Sequence, residues 1–231
     1  MVGRRLRAIR EADGGAVGAI VSAFATNEEA FLVRRVLGGE GAPIAGHAWS
    51  PPDARGDDLL IKADKNPNRR GLESLGIPTS AEAIDQMLGR VRAGNLKGLI
   101  VFGADLAGNL GRESVEQALE GLELLVLIDV RRTETSLYAD AVLPAASFAE
   151  TDGTFTNSAG RVQRVRRAFS PPGEAWEGWR LLAELGKALG DPGSWLSAEA
   201  VFAALSSEAK AFSGLDYPRL GLRGAPTLAS S

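Results

Sequence analysis

Apolar residues along this chain follow two patterns. Some come as short unbroken runs: "AVGAIVSA" (16–23), "KGLIVFG" (97–103) and "LELLVLIDV" (122–130). Runs of that length, without polar alternation, predict strands buried on both faces, as in a parallel sheet. Others recur every three or four residues. "GRRLRAIREAD" (3–13) spaces Leu6, Ile9 and Arg10 as a helix does, and Gly14-Gly15 ends it. Thr26 and Glu29 form a capping box that opens a helix through "NEEAFLVRRVLGG", stopping at Gly38-Gly39. "TSAEAIDQMLGRVRAG" (79–94) places Ala83, Met87, Leu88 and Val91 on one helical face, and "GRESVEQALEG" (111–121) continues the series. Two weaker strands are expected. One opens "DLLIKADKNPNRRG" (58–71) and runs into a Pro/Asn/Gly loop; the other is "DAVLP" (140–144), after a helical "TETSLYA". Strand alternating with helix predicts an α/β fold: a partial doubly wound, Rossmann-like, mostly parallel sheet, with further helices at the C-terminus.

The rhythm changes at residues 150–167, "ETDGTFTNSAGRVQRVRR". This stretch has too much Gly and too many short polar side chains for a helix. Its second half, with Val162 and Val165 among long polar residues, predicts an exposed edge strand. "SPPG" (170–173) is a break, followed by helices "EAWEGWRLLAELGKALG" (174–190), with Trp179, Leu182 and Leu185 or Gly186 along one side, and "SAEAVFAALSSEAKAF" (197–212). The closing "LGLRGAPTLASS" is expected to be a frayed tail. Two units are expected, a Rossmann-like domain over 1–169 and a helical extension over 170–231.

Composition narrows the chemistry. A net charge of -3 gives no reason to expect nucleic acid. With no cysteine, the chain offers neither disulfides nor thiolate ligands for zinc or iron–sulfur clusters, and a single His47 makes no histidine-based metal site. Redox chemistry would then rest on a bound cofactor or another polypeptide. No apolar run reaches transmembrane length. The N-terminal Ala23-Phe24-Ala25 mimics a signal-peptidase site, but Glu11 and Asp13 precede a short apolar stretch broken by Gly18, so a cytoplasmic location is expected.

Neither a nucleophile elbow nor a phosphate-binding loop motif occurs, and no catalytic residue is assigned. The candidate chemistry lies after the strands, where ligands bind in open α/β sheets. "VFGADLAGN" and "IDVRRTET" are two such ends. Gly103 and Gly108 permit close backbone approach, Asp105 and Asp129 could accept hydrogen bonds from a ribose or a purine edge, and Thr133 and Thr135 are short donors. The competing reading is that Gly ends strands and Thr or Asp caps helices in any α/β protein. Glu134, Glu150 and Asp152 are equally well explained as caps and turns. The arginines of "RVQRVRR" suit a phosphate or a solvated, charged edge.

"YADAVLPAASFAETDGTFTNSAGRVQ" (138–163) resembles a stretch of the molybdopterin oxidoreductase superfamily. It departs from that pattern at Ala159, where the superfamily usually has an acidic residue. "LKGLIVFGAD", "LLVLIDVRRTETSLYADAVLP", "TNEEAFLVRRVL" and "NPNRRGLESLGIP" extend the likeness over roughly residues 16–190. Two branches compete: the large iron–sulfur subunit (the G subunit) of NADH:quinone oxidoreductase, or complex I, and formate dehydrogenase catalytic subunits. The short passage from "NPNRRGLESLGIP" into "TSAEAIDQMLGRVRAGNLKGLIVFG" favours the complex I branch.

The resemblance implies the C-terminal part of a longer subunit whose cluster cysteines and molybdenum ligand lie upstream. The sequence would then be a split-gene product, a truncated reading frame or a reduced subunit. In enzyme relatives the motif walls a pterin cavity. Gly153 would then allow close approach, Thr154 and Asn157 would offer hydrogen bonds, and Arg161 and Gln163 would reach polar cofactor groups or a neighbouring loop. Part of a molybdopterin guanine dinucleotide site would result. In the complex I branch the same scaffold usually holds no molybdenum and serves as packing, so no cofactor would sit in this chain. It would contact complex I peripheral-arm subunits, through Arg164, Arg166 and Arg167, or the rest of its own subunit. That places it at the cytoplasmic face of the inner membrane without insertion. A free-standing nucleotide-binding module is the third alternative.

Overall fold

A computed structural model describes residues 1–37, 43–191 and 193–228. The expected helix stop at Gly38-Gly39 lies outside the described residues. Helix α1 (Val2–Ala12) leads into β1 (Val17–Ser22), α2 (Asn27–Val36), β2 (Ile44–His47), α3 (Arg69–Ser74), α4 (Ala81–Arg92) and β3 (Gly98–Phe102). Then come α5 (Leu106–Leu110), α6 (Arg112–Glu120), β4 (Leu124–Asp129), a 3-10 turn (Glu134–Leu137) and β5 (Ala141–Pro144). The five strands form one sheet in the order β2-β1-β3-β4-β5, and every pairing is parallel.

The unbroken apolar runs are explained by a strict division between the two faces. Ala19 and Val21 of β1, Ile100 and Phe102 of β3, and Leu124, Val126 and Ile128 of β4 pack with α1, α2 and the later helices. Their neighbours Ile20, Leu99, Val101, Leu125 and Leu127 pack with α4, α5 and α6. Successive strand residues point to opposite faces, so a sheet covered on both sides needs apolar residues at every position. Helix α1 adds a second device. Its Arg7 and Arg10 donate to Ala188 O and Leu189 O at the end of a later helix, and Arg10 also reaches Val36 O at the end of α2, 3.2 Å away. Cations there satisfy carbonyls that the helices leave unpaired.

Three expectations are corrected. Residues 58–61 form no strand. Asp57 Oδ1 accepts the backbone N–H groups of Leu59, Leu60 and Ile61 at 2.9, 2.6 and 2.8 Å, which takes up the donors a strand would offer a neighbour. Leu59 and Leu60 are 82% and 80% exposed. The strand of this region is the unforeseen β2, whose Gly46 packs so close to Leu72 and Thr79 that a Cβ would come within 2.9 Å of each.

Second, residues 161–165 are a central strand. β6 (Gly153–Thr156), β7 (Arg161–Val165) and β8 (Ala225–Pro226) make a small antiparallel sheet in that order, with Val162 fully buried. Third, the tail is tied down as far as it is described. α9 (Tyr217–Leu220) packs on β7, β8 covers the other edge of β7, and Thr227 N–H donates to Gly160 O at 2.9 Å. Helices α7 (Gly178–Leu189) and α8 (Ala198–Glu208) lie on α2, and α7 also touches α1.

Candidate functional site

The carboxyl ends of the parallel strands open into a cavity of about 780 Å³. It lies where the chain, having laid β2 on one side of β1, crosses over to lay β3 on the other. Such a switch point splays the loops apart and leaves a crevice. Ser22 of β1, His47 of β2 and Asp129 of β4 line it at the strand ends, with Gly103 just after β3. Phe24, Trp49, Phe102, Phe148 and Phe155 supply aromatic walls. Gly103 has φ +64, a left-handed conformation that side-chain-bearing residues rarely take, and its N–H closes on Ile128 O at 2.8 Å. That turn brings bare backbone to the cavity edge.

The two aspartates are held differently. Asp105 Oδ1 accepts Thr135 N–H at 3.0 Å, the Thr135 hydroxyl at 2.9 Å and Gly108 N–H at 3.1 Å. Burial disfavours its charge, yet these donors keep its carboxyl below the ordinary range. Thr135 is itself fully buried and also accepts Ala107 N–H, so it bolts the loop after β3 to the turn after β4. Asp129 is pushed above its ordinary value by burial, which the N–H groups of Arg131 and Val130 offset only in part. Its Oδ1 accepts Arg131 N–H at 3.2 Å. His47 is pushed below its ordinary value by burial, against the opposing pull of Asp105. Burial therefore favours its neutral imidazole.

Three cavity-lining side chains carry a buried polar atom without a partner among the described residues: His47 Nε2, Asn66 Oδ1 and Thr133 Oγ1. Leaving such an atom unsatisfied costs about 1–3 kcal/mol. The α2 N-terminus, by contrast, is sealed. Thr26 Oγ1 accepts Glu29 N–H at 3.2 Å and Glu29 Oε2 accepts Thr26 N–H at 2.8 Å, completing the expected capping box. Burial, reinforced by nearby Glu177, raises Glu29 to about 7 despite those hydrogen bonds. The amides of Thr26 and Glu29 are thereby taken up within the chain.

The remaining candidates lie in the small sheet. Thr154 is fully buried; its N–H and hydroxyl donate to Glu28 Oε2 at 2.8 and 3.1 Å, and its Oγ1 accepts Asn27 Nδ2 at 3.0 Å. Gly153 rests against Thr26, where a Cβ would approach Cγ2 to 2.7 Å. Asn157 organises the β6–β7 turn: its Oδ1 accepts the N–H groups of Ala159 and Arg161, and its Nδ2 donates to Gln163. Arg161 donates to Gly224 O at 2.8 Å. None of these five lines the cavity; Phe155 between them does. Thus Gly103, Asp105, Asp129 and Thr133 converge on the cavity, with Thr135 behind Asp105. Sequence reasoning misses His47, Trp49, Asn66 and Glu29 as site residues. For His47 the missing signal is β2 itself, since strand ends direct attention to the residues that close them.

A family profile described as molybdopterin oxidoreductase matches residues 5–188. The chain belongs to this family. It is 39% identical over 166 residues to the F420-dependent formate dehydrogenase subunit alpha of Methanocaldococcus jannaschii, covering 71% of this chain and 23% of that protein. Against the assimilatory nitrate reductase catalytic subunit of Bacillus subtilis it is 35% identical over 162 residues, covering 67% and 23%. Against the G subunit of NADH-quinone oxidoreductase from Shewanella oneidensis it is 36% identical over 171 residues, covering 62% and 19%. The chain spans about a fifth of the length of these relatives.

In this molybdopterin oxidoreductase segment, three stretches that carry the resemblance meet in one buried polar network. Asn27 and Glu28 come from "TNEE", Asn68 from "NPNRRG", and Thr154 and Thr156 from "GTFT". Asn68 Nδ2 donates to Ala25 O at 2.8 Å while its Oδ1 accepts Thr156 N–H at 2.6 Å. Asn27 Nδ2 reaches Thr156 Oγ1 at 3.1 Å, and the Tyr217 hydroxyl closes the network on Glu28 Oε1 at 2.8 Å. Gly71 is required beside it, because a Cβ there would collide with both asparagine amides. Ala159, the departure from the superfamily pattern, is exposed in the β6–β7 turn, where an acidic side chain is not needed for packing.

Proposed function

We propose that this chain supplies the nucleotide-binding part of a molybdopterin guanine dinucleotide site in a molybdenum oxidoreductase of the formate dehydrogenase type. The observation that carries this reading is the switch-point cavity with its three unpartnered buried polar atoms and aromatic walls. The residues present fit the group. Asp129 offers a carboxylate with acceptor capacity to spare for paired N–H donors such as a guanine edge, and Thr133 offers a free hydroxyl. The aromatic walls suit planar rings, and Gly103 lets backbone come close. When bound, the cofactor would supply the metal-centred redox chemistry. The chain's own residues would hold and orient its nucleotide end and keep water from it. Any thiolate ligand or iron–sulfur cluster would come from other parts of the subunit or from partners, since this chain has no cysteine.

The likeness to the G subunits of NADH-quinone oxidoreductases favours a second reading, a structural portion of complex I. The chain would then pack among peripheral-arm subunits at the cytoplasmic face of the membrane, carrying no electrons, and the buried network would be the motif's whole purpose. Among the described residues no helix is long and apolar enough to cross a membrane, so membrane association would run through partners. One purification separates the readings: the protein is recovered from its native cells at endogenous level, its partners are identified, and molybdenum and pterin are assayed. Molybdenum and pterin with a catalytic partner are expected. Complex I subunits without molybdenum would overturn the first reading in favour of the second.

A further inference from the structure

His47 is the chain's lone histidine, and the established family membership gives it no role. It closes β2, the outermost strand on its side of the sheet, and is 5% exposed. Its Nε2 is buried with no partner among the described residues, in a wall of the cavity. On the other side of β1 and β3, the end of β4 and the turn after it present Asp129 and the Thr133 hydroxyl, unpartnered among the described residues, to the same cavity. Three strand spacings separate β2 from β4, roughly 14 Å at about 4.8 Å each. A compact ligand would satisfy one end only. An extended one, the size of a nucleoside diphosphate, reaches both.

We propose that His47 is a ligand-contacting, specificity-determining residue whose Nε2 hydrogen-bonds to a nucleotide lying across the strand ends from β2 to β4. This rests on the nucleotide reading of the cavity and adds to it the direction in which the ligand lies. Asn66, whose Oδ1 is likewise unpartnered, follows the same β2 loop and offers a second polar contact on that side. The apolar wall from Trp49 supports a contact of this kind, because a hydrogen bond made away from water is not diluted by solvent. A buried water would satisfy the same imidazole nitrogen without any ligand role, and the test is designed to exclude that.

Because the chain has one histidine, its imidazole resonances identify themselves in an NMR spectrum of the intact chain. GDP is the probe. Saturable GDP binding that shifts the His47 ring signals is expected, and His47→Leu should weaken GDP about tenfold or more, the usual consequence of losing a buried hydrogen bond to a charged or strongly polar group. His47→Gln, which keeps a polar group at that place, should recover part of the loss. Saturable binding that leaves the His47 signals unmoved would overturn the assignment while sparing the nucleotide reading; this result needs no variant, so a misfolded His47→Leu cannot obscure it. No saturable binding of GDP at all would overturn the nucleotide reading and this inference together.

Discussion

The small antiparallel sheet and the switch-point cavity are both built from short polar residues, yet they treat them in opposite ways. At the sheet, Asn27, Glu28, Asn68, Thr154, Thr156 and Tyr217 exchange hydrogen bonds among themselves and with backbone. At the cavity, His47, Asn66 and Thr133 each keep a buried polar atom without a partner among the described residues. A satisfied network rigidifies a structure, whereas unsatisfied groups cost stability and are retained where a ligand completes them. The contrast suggests why the most recognisable motif, "GTFTN", is chiefly an anchor, while less conspicuous strand ends form the candidate site.

The sharpest way to break the comparison is to remove the centre of the network. Asn68→Ala would strand Ala25 O and Thr156 N–H in a dry interior and leave a gap beside Gly71. We expect a loss of about 3 kcal/mol or more, measured by denaturant unfolding. A loss below about 1 kcal/mol would mean that the network is not what fixes the small sheet.

A pH effect is at least as large. Glu28 and Glu29 each titrate near 7 in the fold, burial being the leading cause, against an ordinary carboxyl value of 4.5. Between those values the folded chain holds protons that the unfolded chain releases. The favourable contribution is therefore complete below about 4.5 and is lost as pH rises through 7, by on the order of 3 kcal/mol for each carboxyl. Melting temperature should thus fall from about pH 5 to about pH 8. Glu29→Gln, which keeps the capping geometry, should roughly halve the slope. A melting temperature that is flat or rises over this range would contradict the assignment.

Tyr217→Phe is a smaller perturbation. It removes one donor from Glu28 Oε1 and with it the hydrogen bond by which α9 joins the network. The expected cost is about 1–2 kcal/mol, together with a further rise of the Glu28 pKa, because the lost bond favoured the carboxylate. Equilibrium unfolding and a pH series read both effects.

How much of this can be seen in the sequence follows from where each signal resides. β1, β3 and β4 are legible because burial on both faces demands apolar residues at successive positions. β2 is not: four residues, "IAGH", carry little apolar signal, and Gly46 is set by packing against Leu72 and Thr79 that local patterns do not encode. Leu59, Leu60 and Ile61 carry the signal of a strand without being one, since Asp57 captures their amides. β7 reads as an edge because its cover, Ala225–Pro226, lies far along the chain. The site divides along the same lines. Gly103, Asp105, Asp129 and Thr133 follow strands that the apolar runs reveal, whereas His47 ends one that they do not.

The smallest expected effect on stability is also the one that sharpens the comparison most. Thr133→Val replaces the unpartnered hydroxyl with a methyl group of similar shape. In the network, the matching change Thr154→Val would remove bonds to both Glu28 and Asn27 and should cost about 2 kcal/mol. At Thr133 the hydroxyl has no bond to lose among the described residues and a desolvation cost to relieve, so stability should stay within about 0.5 kcal/mol of the parent or rise slightly. If the hydroxyl is kept for a ligand, the same variant should weaken GDP binding several-fold. Paired unfolding and titration measurements decide this. Lost stability with unchanged binding would place Thr133 with the structural network, and unchanged stability with weakened binding would place it in the site.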